Sequence, residues 1–177
     1  AVFYAESGGQ VGDTGIIGTE TSLFDVVDCK KVGTHFMHFG ALKRGAISKG
    51  DKVKVEIDTE RRQSITCNHS ATHLLHEALR LVLGDHVEQR GSMVDGDRFR
   101  FDFSHDTSVS AEEIRKVENI VNMEIMRNKK VVTTSMSMEK AQKKGARALF
   151  GEKYEDVVRV VNIGEDFSVE LCGGTHV

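Results

Sequence analysis

The period of the apolar positions changes near residue 59. Before it, the runs Leu23–Cys29, Thr34–Gly40 and Lys52–Ile57 are short and rich in strand-forming residues, and glycine clusters separate them. That pattern predicts strands joined by tight turns, a small β-barrel-like or sandwich lobe over residues 1–58. From Thr59 onward Ile65, Ala71, Leu75, Leu79 and Val82 recur at helical spacing, and Gly84 is a natural stop. Arg98 to Phe103 alternates strictly and reads as a strand with three phenylalanines on one face and Arg98, Arg100 and Asp102 on the other. Ser110 and Glu113 form a capping box for a helix whose expected buried stripe is Ile114, Val117, Val121 and Ile125. Val131–Ser135 reads as a strand and Met138–Leu149 as a third helix, weakened by Gly145. Val157–Ile163 and Phe167–Leu171 read as closing strands. Over residues 59–177 the order α, β, α, β, α, β, β predicts an α+β layer of helices on a mainly antiparallel sheet.

Composition narrows the function classes. The 177 residues carry 24 Lys and Arg against 27 Asp and Glu, a net charge of −3, which excludes a strongly basic nucleic-acid clamp. Local patches survive that exclusion, namely Arg98 with Arg100, and Lys143, Lys144 and Arg147 on the third helix. Three scattered cysteines without a Cys-x-x-Cys pair fit reduced thiols in a cytoplasmic setting better than a disulfide framework. No apolar run approaches the ~18 residues of a membrane span, and no signal peptide is read at the start. The chain opens on a strand-like Ala1-Val2-Phe3-Tyr4 without an initiator Met and closes just after a polar Gly-Gly-Thr-His stretch. The expectation is an excised part of a longer protein.

The sharpest chemistry lies in Asn68-His69-Ser70-Ala71-Thr72-His73-Leu74-Leu75-His76. On a helix, His69 and His73 stand ~40° apart and ~6 Å along the axis, close enough to share a zinc ion. His76 is on the same face but ~10 Å from His69, so one ion cannot take all three. No Glu occupies position 70, which removes the zinc-protease motif. Cys172-Gly173-Gly174-Thr175-His176 supplies a thiolate and an imidazole, with two glycines expected to bend the backbone so that they converge. His69, His73, Cys172 and His176 then make a Cys-His₃ set that suits zinc by softness and geometry. Spacing alone leaves open a closed structural site and a catalytic one.

Longer strings carry a resemblance. Phe-Tyr-Ala-Glu-Ser-Gly-Gly-Gln-Val-Gly-Asp-Thr-Gly at 3–15, the histidine string at 68–76 and His-Val-Glu-Gln-Arg-Gly-Ser at 86–92 carry its first half. Arg-Phe-Asp-Phe-Ser-His at 100–105, Ala-Leu-Phe-Gly-Glu-Lys-Tyr at 148–154 and Glu-Leu-Cys-Gly-Gly-Thr-His at 170–176 carry the second. Together they resemble the editing region of alanyl-tRNA synthetases and its free-standing AlaX-type relatives. The closing Cys-Gly-Gly-Thr-His and the absence of proline separate it from the related threonyl group, whose motif typically ends Cys-Arg-Gly-Pro-His.

The resemblance implies a β-barrel-like lobe, an α+β editing domain and a cleft between them. It implies hydrolysis of the ester that joins a wrong Ser or Gly to alanine tRNA, because a pocket fitted to alanine rejects such analogues only weakly. The implied partners are the acceptor end of tRNA(Ala) and the rest of a synthetase chain, which would hold the ATP-dependent aminoacylation machinery. His69, His73, Cys172 and His176 would surround the site. Zinc there would either polarise the ester or a water, or position the substrate and leave attack to solvent. Thr72 could pair with a serine hydroxyl, or simply bond back to a helix carbonyl. Gln89, in an expected polar turn, and Gly8, Gly9 and Gln10 are candidate substrate contacts. A free-standing trans-editing deacylase and a non-catalytic zinc module binding the acceptor end are the competing readings.

Overall fold

The computed structural model describes residues 2–148 and 156–177. Four strands come first: β1 (Gly15–Gly18), β2 (Leu23–Val32), β3 (His35–Arg44) and β4 (Lys54–Ile57). They form one antiparallel sheet in the order β3-β2-β1-β4, with Gly15 of β1 paired to Val26 on one side and Ile57 on the other. The order leaves β3 and β4 at the edges, so the expected barrel-like lobe is an open sheet. Phe3, Ala5, Val26 and Cys29 are buried on it, packed with Ile17, Phe24, Val55 and Ile57. β1 escaped the hydrophobic pattern because Gly-Ile-Ile-Gly is too short to show a period.

Helix α1 (Thr59–Leu83) starts where Asp58 accepts a hydrogen bond from the Arg61 amide, and it ends at Gly84, as the pattern predicts. Its buried face is unusual. Beside Ile65, Leu74, Ala78 and Leu79 it buries Thr66, His69, Ser70, Thr72, His73 and His76. A core-facing helix that spends this many positions on polar groups must pair them, since each unpaired one costs about 1–3 kcal/mol.

A two-stranded ribbon follows, β5 (Gln89–Val94) against β6 (Phe99–Phe103). Phe101 and Phe103 turn toward the helices, while Arg100 faces out beside Asp102 at 3.1 Å. Helix α2 (Ala111–Met126) carries the expected capping box and packs on α1 through Val117, Ile120 and Val121 against Ala78 and Leu79. The expected stripe is corrected at both ends, because Ile114 and Ile125 are exposed. Among the described residues α2 packs on α1 and, through Val121, on the cluster of Val161 and Ile163, and Val117, Ile120, Val121 and buried Glu124 form its inner face.

β7 (Val131–Ser137), β8 (Val157–Ile163) and β9 (Ser168–Leu171) make an antiparallel sheet, joined by the short helix α3 (Met138–Lys143). α3 is shorter than the expected Met138–Leu149, whose last residue lies outside the described residues. Gly145 in a left-handed conformation (φ 72°) turns the chain away, so Arg147 is not on the helix. It forms a bridge to Glu170 of β9 and an ion pair with Glu77 of α1. The string at 148–154 quoted for the resemblance lies, after Ala148, outside the described residues.

The strand lobe and α1 are tied by a buried ion pair. Asp13 accepts from the Tyr4 amide at 2.6 Å and from both Nε and Nη2 of Arg62, and Arg61 donates to the Gly12 carbonyl at 2.9 Å. Asp13 is 1% exposed. Arg62→Met would strand that carboxylate without its cation, a loss on the order of 3 kcal/mol. Urea unfolding should show a lower midpoint at an unchanged slope. A midpoint equal to wild type would mean that the pair does not hold the lobe.

Candidate metal centre and ester cleft

The histidines of α1 and the segment after β9 meet. His69, His73, Cys172 and His176 each offer one ligand atom, and these atoms all lie within 4.8 Å of one another. The Cys172 sulfur is 3.4 Å from His69 Nε2 and 3.3 Å from His176 Nε2. For zinc with Zn–S near 2.3 Å and Zn–N near 2.0–2.1 Å, the edge of the tetrahedron is about 3.5 Å. The rings of His69 and His73 lie near-parallel with centroids 5.5 Å apart, and the His176 centroid is 4.5 Å from the first and 4.9 Å from the second.

Each imidazole is held from behind. His69 Nδ1 lies 2.7 Å from Gln10 Oε1, His73 Nδ1 lies 2.6 Å from Glu170 Oε2, and His176 Nδ1 lies 3.3 Å from Ser70 Oγ. The oxygens of Gln10 and Glu170 accept from the Nδ1–H of His69 and His73, which turns the Nε2 of each ring toward the cluster. Outward donation of this kind orients a metal-ligating histidine and raises its basicity. His73 Nε2 and His76 Nε2 are both buried without a hydrogen-bond partner among the described residues, and of the two residues His73 alone belongs to the group of four. His76 stands outside the group, as its spacing predicts. Its Nδ1 is 2.7 Å from the other Glu170 oxygen.

The metal-free electrostatics fit the same donor set. Burial pushes the Cys172 thiol upward, yet hydrogen bonds from His176 and His69 and the charge of His73 overcome it and bring the thiol down to about 3. Burial opposes a charge on His73, but the carboxylate of Glu170 and the Cys172 thiolate outweigh it and raise the group to about 10. Burial dominates at His176, lowered to about 4. Glu170 is fully buried, which disfavours its charge, and His73 and His76 hold it well below the usual carboxylate range. A thiolate beside an imidazolium is a site poised to exchange a proton for a metal ion.

A cavity of about 380 Å³ opens on this cluster. Thr72, Gln89 and Gly8 line it, together with His69, His73 and Cys172. Thr72 Oγ1 donates to the Asn68 carbonyl at 2.9 Å, the backbone alternative weighed from sequence, so toward the cavity it presents a lone pair. Gln89 is not in a turn. It opens strand β5, where its Nε2 donates to Ser92 Oγ at 3.2 Å.

Gly8 and Gly9 are the two central residues of a tight turn closed by paired Ser7–Gln10 backbone bonds, with φ of 56° and 82°. Both values are in the left-handed region that glycine tolerates. Gly9 is pressed on the Ser92 backbone and does not line the cavity. Gln10 is 0% exposed and sits behind His69, and it also accepts from the Thr175 amide at 2.9 Å. The structure therefore places Gln10 among the supports of the cluster and not on the cleft wall.

Two residues of the site were missed from sequence. Glu170 joins His73 to His76, and Ser70 supports His176. An acidic residue two positions before Cys172, on the buried side of a strand, was the available signal for Glu170. The paired glycines also act differently from expectation. Neither Gly173 nor Gly174 has positive φ. A Cβ on Gly174 would lie 2.0 Å from His69 Cε1, whereas one on Gly173 would meet nothing within 4 Å. Gly174 is thus needed for close approach, not for a bend.

Comparison with known proteins agrees with the strings read from the sequence. A family model described as tRNA synthetases class II (A) matches residues 1–61. A second, described as the threonyl and alanyl tRNA synthetase second additional domain, matches residues 158–177. An alanine–tRNA ligase of Dichelobacter nodosus is 56% identical over 176 residues, 99% of the chain and 20% of that protein. By sequence the chain belongs to the alanyl-tRNA synthetase family. Alanine–tRNA ligases of Saccharophagus degradans (56% identical over 175 residues) and Pseudomonas entomophila (55% over 174) match across 99% and 98% of the chain. The chain spans about a fifth of the length of these alanyl-tRNA synthetase relatives. Among the described residues, no helix is long and apolar enough to cross a membrane.

Proposed function

We propose that this chain is an editing module of an alanyl-tRNA synthetase, hydrolysing the ester of serine or glycine wrongly joined to tRNA(Ala). The observation that carries the reading is the convergence of three Nε2 atoms and one thiolate at the end of a cavity walled by Thr72 and Gln89. The second family model, named for threonyl and alanyl synthetases, supports it from sequence.

His69, His73, Cys172 and His176 would hold zinc, which supplies a Lewis acid for the ester carbonyl or a water. Gln10, Glu170 and Ser70 keep the three imidazoles in the ligating tautomer. Thr72 reads the side chain. Its oxygen has a lone pair for a serine hydroxyl, and against alanine's methyl group that lone pair goes unmatched. The substrate enters as the acceptor end of tRNA(Ala), the remaining synthetase chain supplies the rest of the tRNA grip, and the three free thiols fit cytoplasmic conditions.

Steady-state hydrolysis of Ser- and Gly-charged tRNA(Ala) by wild type and Thr72→Val tests the reading. The valine keeps the shape and removes the acceptor, worth on the order of 1 kcal/mol, so the serine ester should slow about fivefold and the glycine ester less. Equal losses on the two esters would mean that Thr72 serves the helix and does not read serine.

A further inference from the structure

A second cavity, of about 470 Å³, adjoins the ester cleft. The two share Tyr4, Ser7 and Gly173 as a common wall. On the far side the second cavity is bounded by Phe36 of β3 and by Lys31 of β2. Phe36 is 45% exposed, a large aromatic ring on a sheet edge that no core claims. Tyr4 is held by its own hydroxyl, which donates to the Ser7 carbonyl at 3.0 Å. The charges in this wall are mostly spent. Glu6 pairs with Lys30 at 2.9 Å, and Arg62 is committed to Asp13. Lys31 is exposed and forms no ion pair among the described residues. A groove with aromatic rings and an uncommitted cation, leading directly into an ester site, has the composition of a single-stranded nucleic-acid track. There the bases stack on rings and the backbone meets a positive charge.

We propose that this groove holds the unpaired nucleotide that precedes the ester-bearing terminal adenosine, its base against Phe36 and Tyr4 and its phosphate beside Lys31. The proposal rests on the ester-site reading above and adds to it a path for the RNA strand. Continuity supports it: Tyr4, Ser7 and Gly173 line both cavities, so a strand whose last ester reaches Thr72 and Cys172 has a way out past them. The recognition is sequence-tolerant, because every base offers a face to stack on.

The test uses two readouts. The first is binding of an uncharged single-stranded RNA ending in CCA, which needs no hydrolysis. Phe36→Ala should weaken it about tenfold, within the range of losing one base–ring stack, and Phe36→Tyr should restore it. Lys31→Ala should weaken binding and reduce its salt dependence by about one phosphate contact. Met37→Ala serves as the control, because Met37 is also exposed but alternation places it on the opposite face of β3.

The second readout compares seryl-tRNA with 2′(3′)-O-seryl-adenosine, which lacks the preceding nucleotide. Phe36→Ala should raise KM about tenfold for seryl-tRNA with kcat unchanged, and should leave the seryl-adenosine rate alone. Unchanged RNA binding in Phe36→Ala, or equal losses on both substrates, would overturn the groove. If wild type binds the RNA and loses that binding in Phe36→Ala, but hydrolyses neither ester, the groove stands and the ester-site reading fails.

Discussion

Cys172→Ala is expected to empty the metal centre and to lower hydrolysis of Ser-charged tRNA(Ala) by more than about a hundredfold. The sulfur is the one anionic member of the group, lies 3.3–3.4 Å from two ring nitrogens, and accepts the Gly174 amide at 3.4 Å. Its removal leaves three imidazoles and no thiolate. Loss of a partner one shell further out already costs about 10–100-fold in affinity or activity, so loss of a ligand exceeds that. The other two thiols provide the contrast. Cys67 is exposed and Cys29 lies in the core of the first sheet. Cys67→Ala should keep full zinc content and rate. Cys29→Ala should keep both while losing some stability to the trimmed core. Elemental analysis beside the deacylation rate checks all three variants. Zinc and rate retained in folded Cys172→Ala would remove the site.

Gly174→Ala is expected to be nearly as severe, although it alters no ligand. The added methyl would fall 2.0 Å from His69 Cε1, 2.4 Å from its Nδ1 and 2.9 Å from Gln10 Oε1. No rotamer change of the new side chain relieves this, because Cβ is fixed by the backbone. His69 must leave its bond to Gln10 or the loop must retreat and carry Cys172 and His176 with it. Zinc content should fall below about one-tenth per chain, in line with a disturbed outer shell acting on two ligands together. Gly173→Ala is the matched control, with open space around its Cβ, and should retain zinc. The two variants differ by one position and no chemistry, so similar zinc content in both would contradict the packing described for the cluster.

Local pattern made part of this legible. The four-residue spacing of His69 and His73 on α1, the stop at Gly84, the capping box at Ser110 and the Phe alternation of β6 are short-range features, and each is found in the structure. The supports of the site lie far apart in sequence. Gln10 reaches His69 across 59 residues and Thr175 across 165, and Glu170 reaches His73 across 97. No periodicity carries such pairings, so Gln10 was expected on the cleft and Glu170 was not singled out.

The strand β5 was hidden for a different reason. Gln-Arg-Gly-Ser-Met-Val has no alternation, and it becomes a strand by pairing with β6. Ile114 and Ile125 show the limit of apolar spacing. It marks which face of α2 is greasy, but the elements packed on that face, α1 and the strand bearing Val161 and Ile163, decide which positions are covered.

The central claim joins one metal site to one reaction, and one measurement bears on both. Ser-charged and Ala-charged tRNA(Ala) are offered to the chain as purified, after zinc removal by a chelator, and after zinc is restored, with zinc per chain determined in each sample. One zinc per chain, rapid loss of serine with alanine spared, a rate that falls with the metal, and recovery on its return are the expected results. Serine and alanine released at the same rate, or a serine rate indifferent to zinc, would contradict the central claim.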